Sequence, residues 1–227
     1  MLDWERQWRG AGVVFVVLIV IASLIYGSQP KVGASTEDLV SFFDGDRNRI
    51  LIATVIFCFA FLELLWFGAA LSSVLRDAGL AGWGAAATAS SAALGAILFL
   101  RMAVRAGLAL SIADFGQLQV TSGLADFAFA LTVISCFPAA MFVMSGAFGL
   151  SRAGIISSRF FWVGVAAVVL VLLGGTTWAS DGFWAPDGAY AFISQIVLFA
   201  WIAVLSGFLA MRSSAAQAPE RTAVPAA

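Results

Sequence analysis

Glu63 sits in the middle of Ile50 to Leu75, an apolar run of 26 residues that holds no other charge. If that run crosses a bilayer, its carboxyl group lies near the midplane, where such groups usually face a bundle interior or a water-filled cavity. Two kinds of chemistry fit a lone acid there. As a neutral group it makes one interhelical hydrogen bond. As a titrating group it serves as a proton relay, a cation site or an anchor for a polar ligand. Thr88, Ser90 and Ser91 fall at the centre of the next apolar block, and Pro138 at the centre of the one after. The short connection Arg76 to Gly79 makes the first two blocks neighbours. A hydroxyl from Thr88, Ser90 or Ser91, or the Pro138 kink, is therefore expected within hydrogen-bond reach of Glu63. Pro138 lacks a backbone donor and leaves the carbonyl of Ile134 without its usual partner. That position reads either as a structural kink or as a polar notch facing Glu63.

A second group of charges lies between the blocks. Asp44, Asp46, Arg47 and Arg49 precede Ile50; Arg101 and Arg105 follow the third block at an i, i+4 spacing; Asp114 and Asp126 precede the fourth. If the helix continues past Leu100, the two arginines share a face. The expectation is that Arg101 or Arg105 pairs with Asp44, Asp114 or Asp126. The alternative is ordinary snorkelling and solvation at the membrane interface.

Other chemistry is excluded by what is missing. The chain has no histidine, which removes the usual haem, di-iron and zinc ligand sets and every Ser–His or Cys–His unit. The one lysine, Lys31, lies outside the apolar blocks, so a Schiff base inside the bundle is not expected. There is no phosphate loop of the Walker type and no basic cluster suited to nucleic acid. Cys58 and Cys136 read as small apolar residues rather than a disulfide. No metal and no cofactor are expected.

The elements that must position these residues follow from composition. Of 227 residues, 62% are hydrophobic and only 11% charged, against about a quarter charged in soluble domains. A span needs roughly 20 apolar residues, and its backbone must be satisfied internally, which makes it helical. Six blocks qualify or nearly so, and Glu63 is the only charged residue within them. The fold expected is all-α: a polytopic transmembrane bundle of six helices over about 10–28, 50–75, 80–100, 127–150, 160–178 and 189–211. Residues 212–227, rich in Ala, Ser and Pro, are expected to form a disordered cytoplasmic tail. Tyr26 to Pro30 is a poor cleavage site, so the first block reads as an uncleaved helix.

Lysine and arginine set the orientation. Seven fall on the side of both termini and five on the other, confined to its two long connections. Both termini are therefore placed in the cytoplasm. The preference for arginine over lysine, with abundant Ala and Gly, suggests a bacterial cytoplasmic membrane. Gly84, Thr88, Ser91 and Gly95 form a small-residue stripe suited to close helix packing. Phe160, Trp162, Trp178, Trp184 and Tyr190 lie near predicted helix ends and read as an interfacial aromatic belt.

Phe42-Phe43-Asp44-x-x-Arg47-x-x-Ile50, the later Trp66-Phe67 and Leu75-Arg76, and Phe137-Pro138 in the fourth block resemble a set of small actinobacterial membrane proteins grouped under a domain of unknown function. The resemblance spans about Ala11 to Met211. It implies a six-helix architecture and no activity. The leading functional expectation is a non-enzymatic membrane protein, either an accessory subunit or a small-molecule-binding bundle. The lipid bilayer is its surroundings, and a membrane-protein partner or a second copy is a candidate contact. The alternatives are a small proton-coupled transporter using Glu63 and a membrane enzyme of unrecognised chemistry.

Overall fold

A computed structural model describes residues 4–112 and 118–216, and every regular element among them is helical. The elements are α1 (Trp4–Tyr26), α2 (Thr36–Gly45), α3 (Arg47–Asp77), α4 (Ala81–Gly107) running into a π-helical turn (Leu108–Ile112), α5 (Leu118–Arg152), α6 (Ser158–Gly174) and α7 (Ala189–Ala216). Five of them, α1, α3, α4, α5 and α7, contain stretches long and apolar enough to cross a membrane. The sixth apolar block forms α6, but at 17 residues it is shorter than expected. It measures about 26 Å at 1.5 Å per residue, against roughly 30 Å of hydrocarbon. The helix stops at Gly174, and the hydroxyls of Thr176 and Thr177 then donate back to the carbonyls of Leu173 and Gly174, each at 2.8 Å.

The boundaries also shift elsewhere. The connection before α3 holds α2, an amphipathic helix that was not expected. Ser35 caps it by accepting from the Asp38 N–H at 3.1 Å, and it buries Leu39, Phe42 and Phe43. α4 runs seven residues past Leu100, which puts Arg101 and Arg105 on one helical face as their spacing requires. α5 begins at Leu118, well before Phe127. α7 continues to Ala216, so the first residues of the expected disordered tail are helical; 217–227 lie outside the described residues.

The two tight connections are built alike. Gly79 and Gly154 adopt φ values of 77° and 66°. Leu80 N–H then donates to Leu75 O, and Ile155 N–H to Leu150 O, both at 2.9 Å. This is the Schellman arrangement, which satisfies the last carbonyls of α3 and α5 and favours glycine at its left-handed position.

The six long helices close a ring in chain order: α1 packs on α3, α3 on α4, α4 on α5, α5 on α6, α6 on α7, and α7 on α1. The small residues set two of these contacts. On α4, Gly84 lies against Ser72, Ser91 against Gly68, and Gly95 against Leu65, all on α3. The small-residue stripe is therefore used inside the chain. On the α1–α7 seam, Gly12 faces Ile202 and Ser206. The Ser206 hydroxyl donates to Arg9 O at 2.5 Å and accepts from Val13 N–H at 3.2 Å. The start of α1 and the end of α7 thus lie at one end of the ring.

At the opposite end, α2 leaves the ring order and packs on α5. In a six-membered ring α5 stands across from α1, so α2 lies over the ring's mouth. Val32 N–H donates to Asp187 at 3.1 Å and ties the α1–α2 connection to the α6–α7 connection at this same end.

Candidate binding cavity

Inside the ring is a cavity of about 90 Å³ to which all six long helices contribute side chains. Its apolar wall comes from residues such as Phe15 of α1, Phe57 and Phe61 of α3, Leu94 of α4 and Val171 of α6. Toward the termini end, Phe67 of α3 meets Phe142 of α5 edge-on with ring centroids 5.9 Å apart. Both rings are fully buried, and neither is part of the cavity wall. The polar wall is Ser23, Arg101, Thr132, Ser135, Cys136, Ser194 and Gln195. Thr132, Ser135 and Ser194 donate to Ala128 O, Thr132 O and Ala191 O at 3.1, 2.7 and 2.8 Å. Their hydrogens are thus committed to their own helices, and only oxygen lone pairs are left for the cavity. Cys58 and Cys136 are free thiols.

Above the cavity, at the α2 end, lies a cationic layer. Arg101 stands in the cavity wall. Arg105, one turn further, is 6% exposed and holds its guanidinium carbon 5.1 Å from the centre of the Tyr26 ring. Phe42 of α2 packs edge-on against the same ring at 5.7 Å. Nε of both arginines, the Tyr26 hydroxyl and Nε2 of Gln29 are buried without a hydrogen-bond partner among the described residues. Removing an ion from water costs several kcal/mol even after relaxation. A cation–π contact returns about 0.5–2 kcal/mol. Among the described residues, Tyr26 is the one group that offsets this charge, and it does so only in part. The α4 backbone turns π-helical directly beyond Arg105, a distortion often found at functional sites.

The expected outer ion pairs do not form among the described residues. Asp44, Arg47 and Asp126 are exposed, and neither Asp44 nor Asp126 pairs with Arg101 or Arg105. Asp114 lies outside the described residues. The reason is geometric. The long α4 carries both arginines inward under α2, while Asp44 and Asp126 point to the surface. The one ion pair among the described residues joins Arg49 to Asp46, with both side chains about two-fifths exposed. A pair in that setting contributes little.

The midplane group is also taken apart. α4 packs on the Leu65, Gly68 and Ser72 face of α3. At about 100° per residue, Glu63 points to nearly the opposite side. It is half-buried, between exposed Phe59 and Trp66 and buried Ala60 and Phe67, and makes no hydrogen bond or ion pair among the described residues. Thr88 donates to Gly84 O, Ser90 to Ala86 O and Ser91 to Thr88 O, so all three hydroxyls bond their own helix. Pro138 is accommodated within an unbroken α5, beside the cavity residues Ser135 and Ala139 rather than opposite Glu63. Sequence reasoning missed Tyr26 and the cavity hydroxyls. The only signal for them was a polar residue at each of several helix positions, without any indication of a common centre.

The aromatic belt divides. Trp162 and Trp178 are exposed, as interfacial rings should be. Trp184 stacks on Tyr190 at 4.4 Å and donates from Nε1 to Thr176 O, and Phe160 stacks on Trp201 at 4.8 Å. Those three are internal packing.

The five long apolar helices and the closed ring mark a helical membrane protein. No protein-family model, curated protein or solved structure matches the chain.

Proposed function

We propose that this chain is a non-enzymatic integral membrane protein of six crossings that binds a small molecule in the cavity at its centre. The observation that carries this reading is the convergence of all six long helices on one cavity whose wall combines aromatic rings, such as Phe15, Phe57 and Phe61, with polar side chains. Binding is favoured over reaction because the hydroxyls of Thr132, Ser135 and Ser194 are committed to backbone carbonyls, and the wall holds no carboxylate or histidine among the described residues. A transporter built on Glu63 draws no support from the geometry, since that carboxyl stands outside the cavity wall. α6 is the shortest crossing and is accommodated by local thinning or by its flanking residues, at modest cost.

The termini lie in the cytoplasm and α2 on the far face of a bacterial cytoplasmic membrane. The Lys/Arg bias supports this, as does the meeting of α1 and α7 at one end. Reporter fusions after Ala227 and at Asp187 are expected to report opposite sides of the membrane. A common side for both would overturn the topology.

Ala139 is 1% exposed and lines the cavity. Ala139→Leu adds three carbons to that space and is expected to expel the occupant. Native mass spectrometry of gently extracted wild type should show a retained small molecule that the folded variant lacks. If wild type carries nothing, and no fraction of a membrane extract raises its Tm, the reading fails.

A further inference from the structure

The geometry points to a small oxyanion, a phosphate or carboxylate group, as what the cavity takes, held at its α2 end by Arg101 and Arg105; this rests on the binding reading above. Three observations converge. Two guanidinium groups lie on one face of α4 beneath α2, and neither forms a hydrogen bond or an ion pair among the described residues. A planar guanidinium with free donors matches a carboxylate or phosphate through two parallel bonds. Further donors stand at the same end: the Tyr26 hydroxyl and Nε2 of Gln29 are buried and unpartnered among the described residues. The hydroxyls of Thr132, Ser135 and Ser194 offer the cavity acceptors only, and the charged donors stand at the Arg101 side, so the anionic group belongs at the arginine end.

Size narrows the class. A cavity of about 90 Å³ compares with the roughly 150 Å³ that accepts benzene in an engineered protein core. It holds a phosphate-sized group or a short acid, not a whole lipid. The oxyanion is therefore a free small anion, or the headgroup of a lipid whose chains remain outside the ring. Arg105 already sits on the Tyr26 face with Phe42 of α2 against that ring. An occupant at the arginines consequently lies next to the helix that covers the mouth.

The test uses the full chain in phosphatidylcholine nanodiscs at fixed ionic strength, with chloride exchanged for inorganic phosphate or acetate. A rise in Tm of about 5 °C is expected at a concentration about a hundredfold above Kd, and Arg101→Gln/Arg105→Gln should abolish it. Should the headgroup be the source, phosphatidylglycerol nanodiscs raise the wild-type Tm, phosphate adds nothing further, and the double variant loses that gain. A folded double variant that responds to every anion and lipid as wild type does overturns the proposal. So does a drop in Tm for Asp114→Asn that vanishes in the double-variant background, because Asp114 is then the built-in counterion. In either overturning case, a neutral molecule retained by wild type and lost in Ala139→Leu leaves the binding reading standing.

Discussion

Gly68→Leu is expected to destabilise the protein by about 3 kcal/mol, seen as a clear fall in Tm of the purified chain. Gly68 of α3 lies directly against the Ser91 side chain of α4. A Cβ on Gly68 would overlap the Ser91 hydroxyl and stand 2.6 Å from Ser91 Cβ, closer than side-chain carbons approach in folded proteins. Neither group has room to retreat, because Ser91 is 2% exposed on a helix held from the other side by α5. The helices must move apart, which also loosens the Ser72–Gly84 and Leu65–Gly95 contacts. Gly68→Ala is expected to cost less, and adding Ser91→Gly should recover most of that loss. Such recovery is the coupling a double-mutant cycle measures between touching residues. A Gly68→Leu protein that melts with wild type would show that α3 and α4 do not meet there.

Tyr26 gives the second large effect, and two substitutions there should differ sharply. Tyr26→Ala is expected to cost about 3–5 kcal/mol, the range for removing a large buried ring. The ring is 4% exposed and packs edge-on against Phe42 at 5.7 Å and Phe57 at 6.3 Å. Its loss also takes away the one aromatic face beneath Arg105. Tyr26→Phe keeps every one of those contacts and deletes a hydroxyl that has no partner. In chloride buffer free of phosphate and carboxylate it is expected to match wild type or exceed it by about 1 kcal/mol, since deleting an unpaired buried hydroxyl breaks no hydrogen bond and relieves its desolvation cost. Thermal unfolding of the two variants side by side decides the matter. Equal losses would mean that the hydroxyl, not the ring, holds this layer.

The positions of the long helices were legible because hydropathy reports directly on length. All six apolar blocks are helical, and the Arg76 to Gly79 turn joins neighbours as its length demanded. Rotation about the helix axis was not legible. Depth put Glu63 level with Ser90 and Ser91, but only the choice of α1 and α4 as flanking helices decides which side of α3 faces inward. A one-dimensional pattern carries depth and loses azimuth. α2 was missed for a different reason. It is short, and its Ser35 cap and Phe42-Phe43 pair lie in a connection whose charges drew attention to ion pairing instead. Arg101 and Arg105 were correctly expected on one face. Their missing partners depend on which loops fold over α4, and a sequence spacing does not encode that. The cavity was invisible altogether, because each helix supplies only a few of its wall residues.

Closure of the ring has a consequence for how the molecule assembles. Apart from the short α2, five of the six junctions join helices consecutive in the chain, and the α1–α7 seam alone joins its two ends. Contacts between consecutive elements are cheap in chain entropy, whereas joining distant ones carries the loop-closure cost. That cost is concentrated in a single seam, at Gly12 and Ser206. Helices α1 to α6 can gather as an open arc as each emerges. Until α7 brings Ser194, Gln195 and Leu198 into place, the arc has a gap and no enclosed interior. The central cavity is thus completed only by the final docking event, and its presence reports that α1 to α7 have all been assembled.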